Sequence, residues 1–208
     1  MDKEIYIIRH GETELNKLGM IQGRGINSDL NDTGRAQGAA FYESYKDIPF
    51  EKVYTSALKR TQQTVQQFID AGLAWEKHTE LDELAWGELE GQHTNEQTIG
   101  AFKDITEKWQ SGDYDAHFAG GESPNDVAIR LKQFVELMKS RTDEKLILIC
   151  MHGRALRLLM CLLSNKPLSE MYDYPHQNTG LYKLSLTGDK FSILETNNTD
   201  HLKVNTFG

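Results

Sequence analysis

Short apolar runs alternate with helix-patterned stretches along most of this chain, and that alternation limits its fold more tightly than any other feature. Glu4 to Ile8 and Leu146 to Cys150 read as strands that are apolar on both faces, as buried parallel strands are. Lys52 to Thr55 reads as a third strand, and a weaker one lies near Trp75 to Leu81. Asn31-Asp32-Thr33 offers caps for a helix through about Lys46, and a helix from about Leu58 to Asp70 can close on Gly72. Another helix is predicted from about Asn95 to Gln110. Ser123-Pro124-Asn125-Asp126 combines a capping hydroxyl, a first-turn proline and an acid at the positive end of the helix dipole. Val127, Leu131, Phe134, Val135 and Met138 then share one helical face. Ala155 to Leu163 forms a helix packed on the most apolar strand, and Thr187-Gly188-Asp189 joins Thr179–Leu186 to Lys190–Glu195 as a hairpin. This order predicts a three-layer α/β/α sandwich around a mostly parallel sheet. Ligands of such sheets bind beyond the carboxyl ends of the strands, where Arg9-His10-Gly11 falls.

No repeat or linker divides residues 1–208, so one domain is expected, long enough to bury a full core. The formal net charge of -8 argues against nucleic acid or an anionic membrane as partner, yet leaves room for a local cationic pocket. No run of about 18 apolar residues predicts a membrane span. Met1-Asp2-Lys3-Glu4 lacks the basic-then-apolar pattern of a secretion signal. Cys150 and Cys161 sit in apolar stretches and are expected to be buried, reduced thiols, so the expected compartment is cytoplasmic. The pattern separates no exposed apolar stripe from the core, and no oligomeric state follows from it.

Two strand exits carry His-Gly: Arg9-His10-Gly11 and Met151-His152-Gly153-Arg154. Either histidine alone is as readily a satisfied loop residue as a reactive one. If the strands are parallel neighbours, however, both imidazoles project over one sheet edge, and each glycine lets the backbone approach a ligand closely. Arg60, early in the helix after Thr55-Ser56, has the wrong charge for that helix end. On its own it would be a solvated side chain; beside Arg9 it offers a second planar fork for phosphoryl oxygens. The loop from Leu81 to Gly91 holds Asp82, Glu83, Glu88 and Glu90 among apolar residues. A carboxyl next to Leu84 and Trp86 can be kept protonated by desolvation and serve as a general acid. A solvated acidic loop fits Glu88 and Glu90 better than Glu83.

The run Arg9-His10-Gly11-Glu12-Thr13, with Asn16 and Gln22-Gly23 after it, resembles the signature of the histidine phosphatase superfamily, phosphoglycerate-mutase-like branch. The likeness continues through Thr55-Ser56 to Arg60-Thr61, Leu81 to Gly91, Gly120-Gly121-Glu122-Ser123 and His152-Gly153, in the family's order. It implies a phosphoglycerate-mutase-like fold, with His10 as a nucleophile that becomes phosphohistidine. Arg9, Arg60 and His152 would grip the phosphoryl oxygens, with Asn16, Gln22 and Gly153 lining the same pocket. Glu83 would protonate the leaving group and then take a proton from the attacking water. The chemistry agrees, because phosphoryl transfer gathers charge on three equatorial oxygens that positioned cations can stabilise. No metal or other cofactor is expected, since the seven histidines show no His-x-x-x-His spacing. Leu15, Asn27, Asp29, Asn31 and Met151 depart from the family pattern, at loop positions and not in the phosphoryl pocket.

The same pocket serves mutases and phosphatases. Gly91 to Glu122 contains no arginine, only Lys103 and Lys108 as cations, and six acids, a poor cage for a small dianionic glycerate. The expected activity is therefore hydrolysis of a small phosphorylated metabolite, with phosphoglycerate mutase as the alternative. A noncatalytic phospholigand-binding domain would have lost His10 or Glu83, and a Rossmann enzyme would need a G-x-G-x-x-G that is absent. Residues 91–122 are the candidate partial cap over the pocket. The helical spacing of Phe102, Ile105 and Trp109 instead points those three at the core.

Overall fold

A computed structural model describes residues 2–203; the remaining ends of the expected 1–208 domain lie outside the described residues. Six strands form one sheet: β1 (Asp2–Arg9), β2 (Lys52–Thr55), β3 (Trp75–Lys77), β4 (Leu146–Met151), β5 (Leu181–Thr187) and β6 (Lys190–Asn198). Their spatial order is β3-β2-β4-β1-β5-β6. β1, β2, β3 and β4 run parallel, and the β5–β6 hairpin adds to β1 in the antiparallel sense.

Side chains alternate across the strands, so one sequence supplies both cores. Ile5, Ile7, Ile147, Ile149 and Met151 face one side, under α5 (Glu96–Gln110), α6 (Pro124–Ser140) and α7 (Gly153–Leu163). Tyr6, Ile8, Val53, Leu148 and Cys150 face the other, against Phe41 of α2 (Asp32–Tyr45) and Phe68 of α4 (Gln66–Asp70). The three layers match the sandwich expected from the alternation. Both cysteines are buried and free. No helix among the described residues is long and apolar enough to cross a membrane.

Three local readings change. The helix expected from Leu58 to Asp70 is broken at Val65, giving α3 (Lys59–Thr64) and α4. Val65 leaves helical geometry and is fully buried, so packing of its side chain overrides a propensity that no glycine or proline marks. The weak strand stops at Lys77, and the chain turns through a 3-10 segment that drives Leu81 into the core. A short α1 (Glu14–Lys17), capped reciprocally by Thr13 and Asn16, escapes periodicity because it is a single turn.

The β1–β4 register pairs Arg9 with Met151, and the His10 amide donates to the Met151 carbonyl at 3.0 Å. Both His-Gly exits therefore leave the sheet side by side. Under the first of them, α2 comes close enough that a Cβ on Gly11 would meet the Gly34 carbonyl oxygen at 2.5 Å. Only glycine fits there.

Candidate active site

The His10 and His152 rings lie 5.1 Å apart at the carboxyl ends of β1 and β4. His10 is 3% exposed and His152 is fully buried. Their partners settle the tautomers. His10 Nδ1 lies 2.7 Å from the Gly11 carbonyl, which can only accept; Nδ1 carries the proton and Nε2 keeps its lone pair. Arg60 Nε donates to His152 Nδ1 at 3.2 Å, so His152 Nε2–H donates to Ser56 Oγ at 2.7 Å.

Arg60, on the first turn of α3, is fully buried. Besides His152 it donates to the carbonyls of Ile26 (2.7 Å) and Gly23 (3.3 Å). Burial pushes its guanidinium down to about 10. Arg9 is shifted down for the same reason; its NH1 faces His176 Nδ1 at 3.3 Å, and its buried Nε has no hydrogen-bond partner among the described residues. Desolvation, then Arg60 and Arg9, holds His10 well below the usual imidazole range. His152 is depressed first by burial and then by Arg60.

Glu83 is 7% exposed, as its apolar neighbours suggested. Its oxygens accept from three amides: Oε1 from Leu84 and Ala155 (both 2.9 Å), Oε2 from Arg154 (3.1 Å). The carboxyl thus sits on the N-terminus of α7, and Oε2 with one amide donor retains room for a proton. Asn16 Oδ1 accepts from the Thr13 amide at 3.2 Å. Gln22 Oε1 accepts from Thr13 Oγ1 (2.9 Å) and Ser28 Oγ (3.0 Å). A Cβ on Gly153 would lie 2.6 Å from the His176 ring, so that glycine admits the ring against the start of α7.

The solvated reading of Glu90 fails: its carboxylate fills the space beside Gly23 and Gly25 and accepts from the Trp86 amide at 2.9 Å. Glu88 is exposed as expected. Ile105 and Trp109 point into the core, while Phe102 is partly buried with its ring 4.8 Å from Trp86. Among the substituted loop residues, Asn27 Oδ1 accepts from the Lys59 amide at 2.8 Å, satisfying an open donor at the start of α3.

Several residues that frame the site carried no local signal. Asn178 Nδ2 donates to the His10 carbonyl at 2.9 Å from across the sheet. Arg130, on α6, clamps the Glu83 loop. Its NH1 donates to the carbonyls of Glu80 and Asp82 (both 2.8 Å) and its NH2 to that of Glu83 (3.1 Å). The remaining donors form a fork on Glu122 at 3.0 Å each, and Glu122 in turn accepts from the Ala85 amide. Replacing Arg130 by Met leaves three carbonyls unpaired and leaves the Glu122 carboxylate with only Arg24 and the Ala85 amide. The expected cost is about 3 kcal/mol or more, a melting temperature lower by about 6–12 °C for a chain of this size. Calorimetry showing a change of under about 2 °C would contradict the clamp.

Three buried imidazoles and the half-buried His176 are all depressed, which gives their pH dependence a defined sign. His176 is held down to about 3 and His201 to about 4, in both cases mainly by burial, and His10 and His152 are also depressed. Below about pH 6.5 the unfolded imidazoles bind protons that the folded ones do not. Stability from these groups is therefore complete above that pH and is lost as pH falls, at up to about 1.4 kcal/mol per pH unit for each group. A melting temperature that stays level from pH 7 to pH 4.5 would contradict this.

The model of the histidine phosphatase superfamily (branch 1) matches residues 5–199. The chain is 26% identical over 200 residues to phosphoserine phosphatase 1 of Hydrogenobacter thermophilus, covering 96% of this chain and 94% of that one. It is 29% identical over 175 residues to the 2,3-bisphosphoglycerate-dependent phosphoglycerate mutase of Bartonella tribocorum, covering 78% and 82%. Its fold superposes with a TM-score of 0.83 on a phosphoserine phosphatase mutant from Entamoeba histolytica in complex with phosphoserine, at 26% identity over 96% of this chain and 99% of that one.

Proposed function

The chain belongs to the histidine phosphatase superfamily, and from that premise we propose that it is a metal-independent phosphomonoesterase acting on a small phosphorylated metabolite. One observation carries the reading. His10 is held neutral, with Nδ1–H bound to the Gly11 carbonyl and the charges of buried Arg60 and half-buried Arg9 acting on the ring, so its Nε2 lone pair is available. A neutral, oriented imidazole is a competent nucleophile.

In this reading Nε2 attacks phosphorus, forming the N–P bond as the ester P–O bond breaks. Arg9 and Arg60 stabilise the charge on the equatorial oxygens, and His152 joins them when its Nε2–H exchanges Ser56 Oγ for a phosphoryl oxygen, with Asn16, Gln22 and Gly153 lining the pocket. Protonated at Oε2, Glu83 gives its proton to the departing alkoxide. As carboxylate it then takes a proton from water, which attacks the phosphohistidine, releases phosphate and restores His10. Trp86 and the rings of Phe102 and Phe118 against it make residues 91–122 a partial cover on the leaving-group side.

A phosphate-release screen over small monoesters, run without added metal, tests the assignment. Hydrolysis faster than interconversion of 2- and 3-phosphoglycerate is expected. The reverse ranking would make the chain a mutase.

A further inference from the structure

The turn that leads into β5 carries an unusual backbone. Thr179 is fully buried and sits at φ +55°, a left-handed conformation that crowds a β-branched side chain. The two other non-glycine residues at positive φ among the described residues, Asn165 and Asn197, are of a type that tolerates it. Thr179 Oγ1 lies 2.9 Å from Nε2 of His201, on the 3-10 segment Asp200–Leu202. His201 is itself costly where it stands. Only 3% exposed, it packs edge-on against Phe41 (5.3 Å) and Tyr45 (6.1 Å) of α2, and its Nδ1 has no hydrogen-bond partner among the described residues. An apolar ring would fill that space without leaving a buried nitrogen unpaired. Each residue is unfavourable alone, and the bond between them accounts for both.

What the turn holds is the backbone of the phosphoryl site. The Thr179 amide donates to the Arg9 carbonyl at 3.0 Å, and Asn178 Nδ2 donates to the His10 carbonyl at 2.9 Å. Consecutive residues of the turn thus grip consecutive residues of the β1 exit. The same Nδ2 lies 3.5 Å from Asn16 Oδ1. Since that oxygen also takes the Thr13 amide, the NH2 end of Asn16 is the one available to a phosphoryl oxygen. Asn197 of β6 braces the other side of the turn, accepting from the Gln177 amide at 2.9 Å. A left-handed threonine persists only where its surroundings fix it, and the side-chain bond to His201 fixes this one.

We propose that His201 is a positioning residue of the phosphoryl site: by bonding Thr179 it keeps the turn in the conformation that aligns Arg9, His10 and Asn16. It touches no reacting atom. The inference rests on the reading of His10 as nucleophile and deepens it, because it names what controls the aim of Nε2. In-line attack needs the reacting atoms within about 3–3.5 Å, and a small displacement of the ring forfeits much of the rate. Glu83 is held from α7 and is not displaced with the turn.

Single-turnover release of p-nitrophenol from saturating p-nitrophenyl phosphate reads the step that forms phosphohistidine. His201→Phe keeps a ring and removes the bond; Thr179→Val keeps the shape and removes the same bond from the other side. Each is expected to slow the step roughly 10–100-fold, at a temperature where a thermal scan shows the variant folded. The double variant is expected to be no slower than the slower single one, because both remove one interaction. His201→Gln, which can still bond Thr179 Oγ1, is expected to recover most of the rate. A merely structural role would lower the melting temperature and leave the rate per folded molecule unchanged. A folded single variant within twofold of the wild-type rate, losses that multiply in the double variant, or a glutamine no faster than phenylalanine would overturn the positioning role. If His201→Phe does not fold, Thr179→Val and His201→Gln decide the matter between them. Unaffected variants beside a wild type that forms phosphohistidine at His10 would remove this role alone. A wild type that releases p-nitrophenol with no phosphoryl group on His10 would remove the nucleophile reading, and this inference with it.

Discussion

Replacing His10 by Ala is expected to lower phosphate release by at least about 10⁴-fold, with little loss of fold. The ring makes one short hydrogen bond, to its own neighbour's carbonyl, and its backbone is held separately by Met151 and Asn178. Removing it deletes Nε2 while leaving Arg9, Arg60 and His152 on their elements. A thermal scan checks the fold and a phosphate-release assay the chemistry. A variant that retains a tenth of the wild-type rate would remove His10 as nucleophile.

A second large effect is expected from Glu83→Gln, and it should depend on the leaving group. Alkyl monoesters depart as strongly basic alkoxides, so losing a general acid should slow them roughly 10²–10⁴-fold. p-Nitrophenyl phosphate, whose leaving group is already acidic, should lose far less in the step that forms phosphohistidine. Single-turnover rates on the two esters make the comparison. Equal losses on both would mean that Glu83 positions the start of α7 through its two amide contacts there and does not move a proton.

The parts of the site legible in the sequence were those tied to strand ends. His10 and His152 could be paired because β1 and β4 are apolar without alternation, and two such strands in an α/β chain pack as parallel neighbours. Arg60 stood out as a cation at the wrong helix end, and its burial against His152 explains it. Glu83 stood out by its apolar neighbours. What its burial does was less legible, since the amides that hold it come from residues 154 and 155, over 70 positions away. Arg130, His176 and Asn178 lacked a signal for the same reason: each acts through a contact made only after the sheet has closed.

The most direct measurement is to trap the phosphoenzyme by rapid acid-free quench and map the modified residue by mass spectrometry. A phosphoryl group on His10, stable to base and labile to acid, discharged to water faster than to a phosphoglycerate, is the result predicted. A phosphoryl group on any other residue, or steady hydrolysis with none trapped on His10 in either the wild type or Glu83→Gln, would contradict the account.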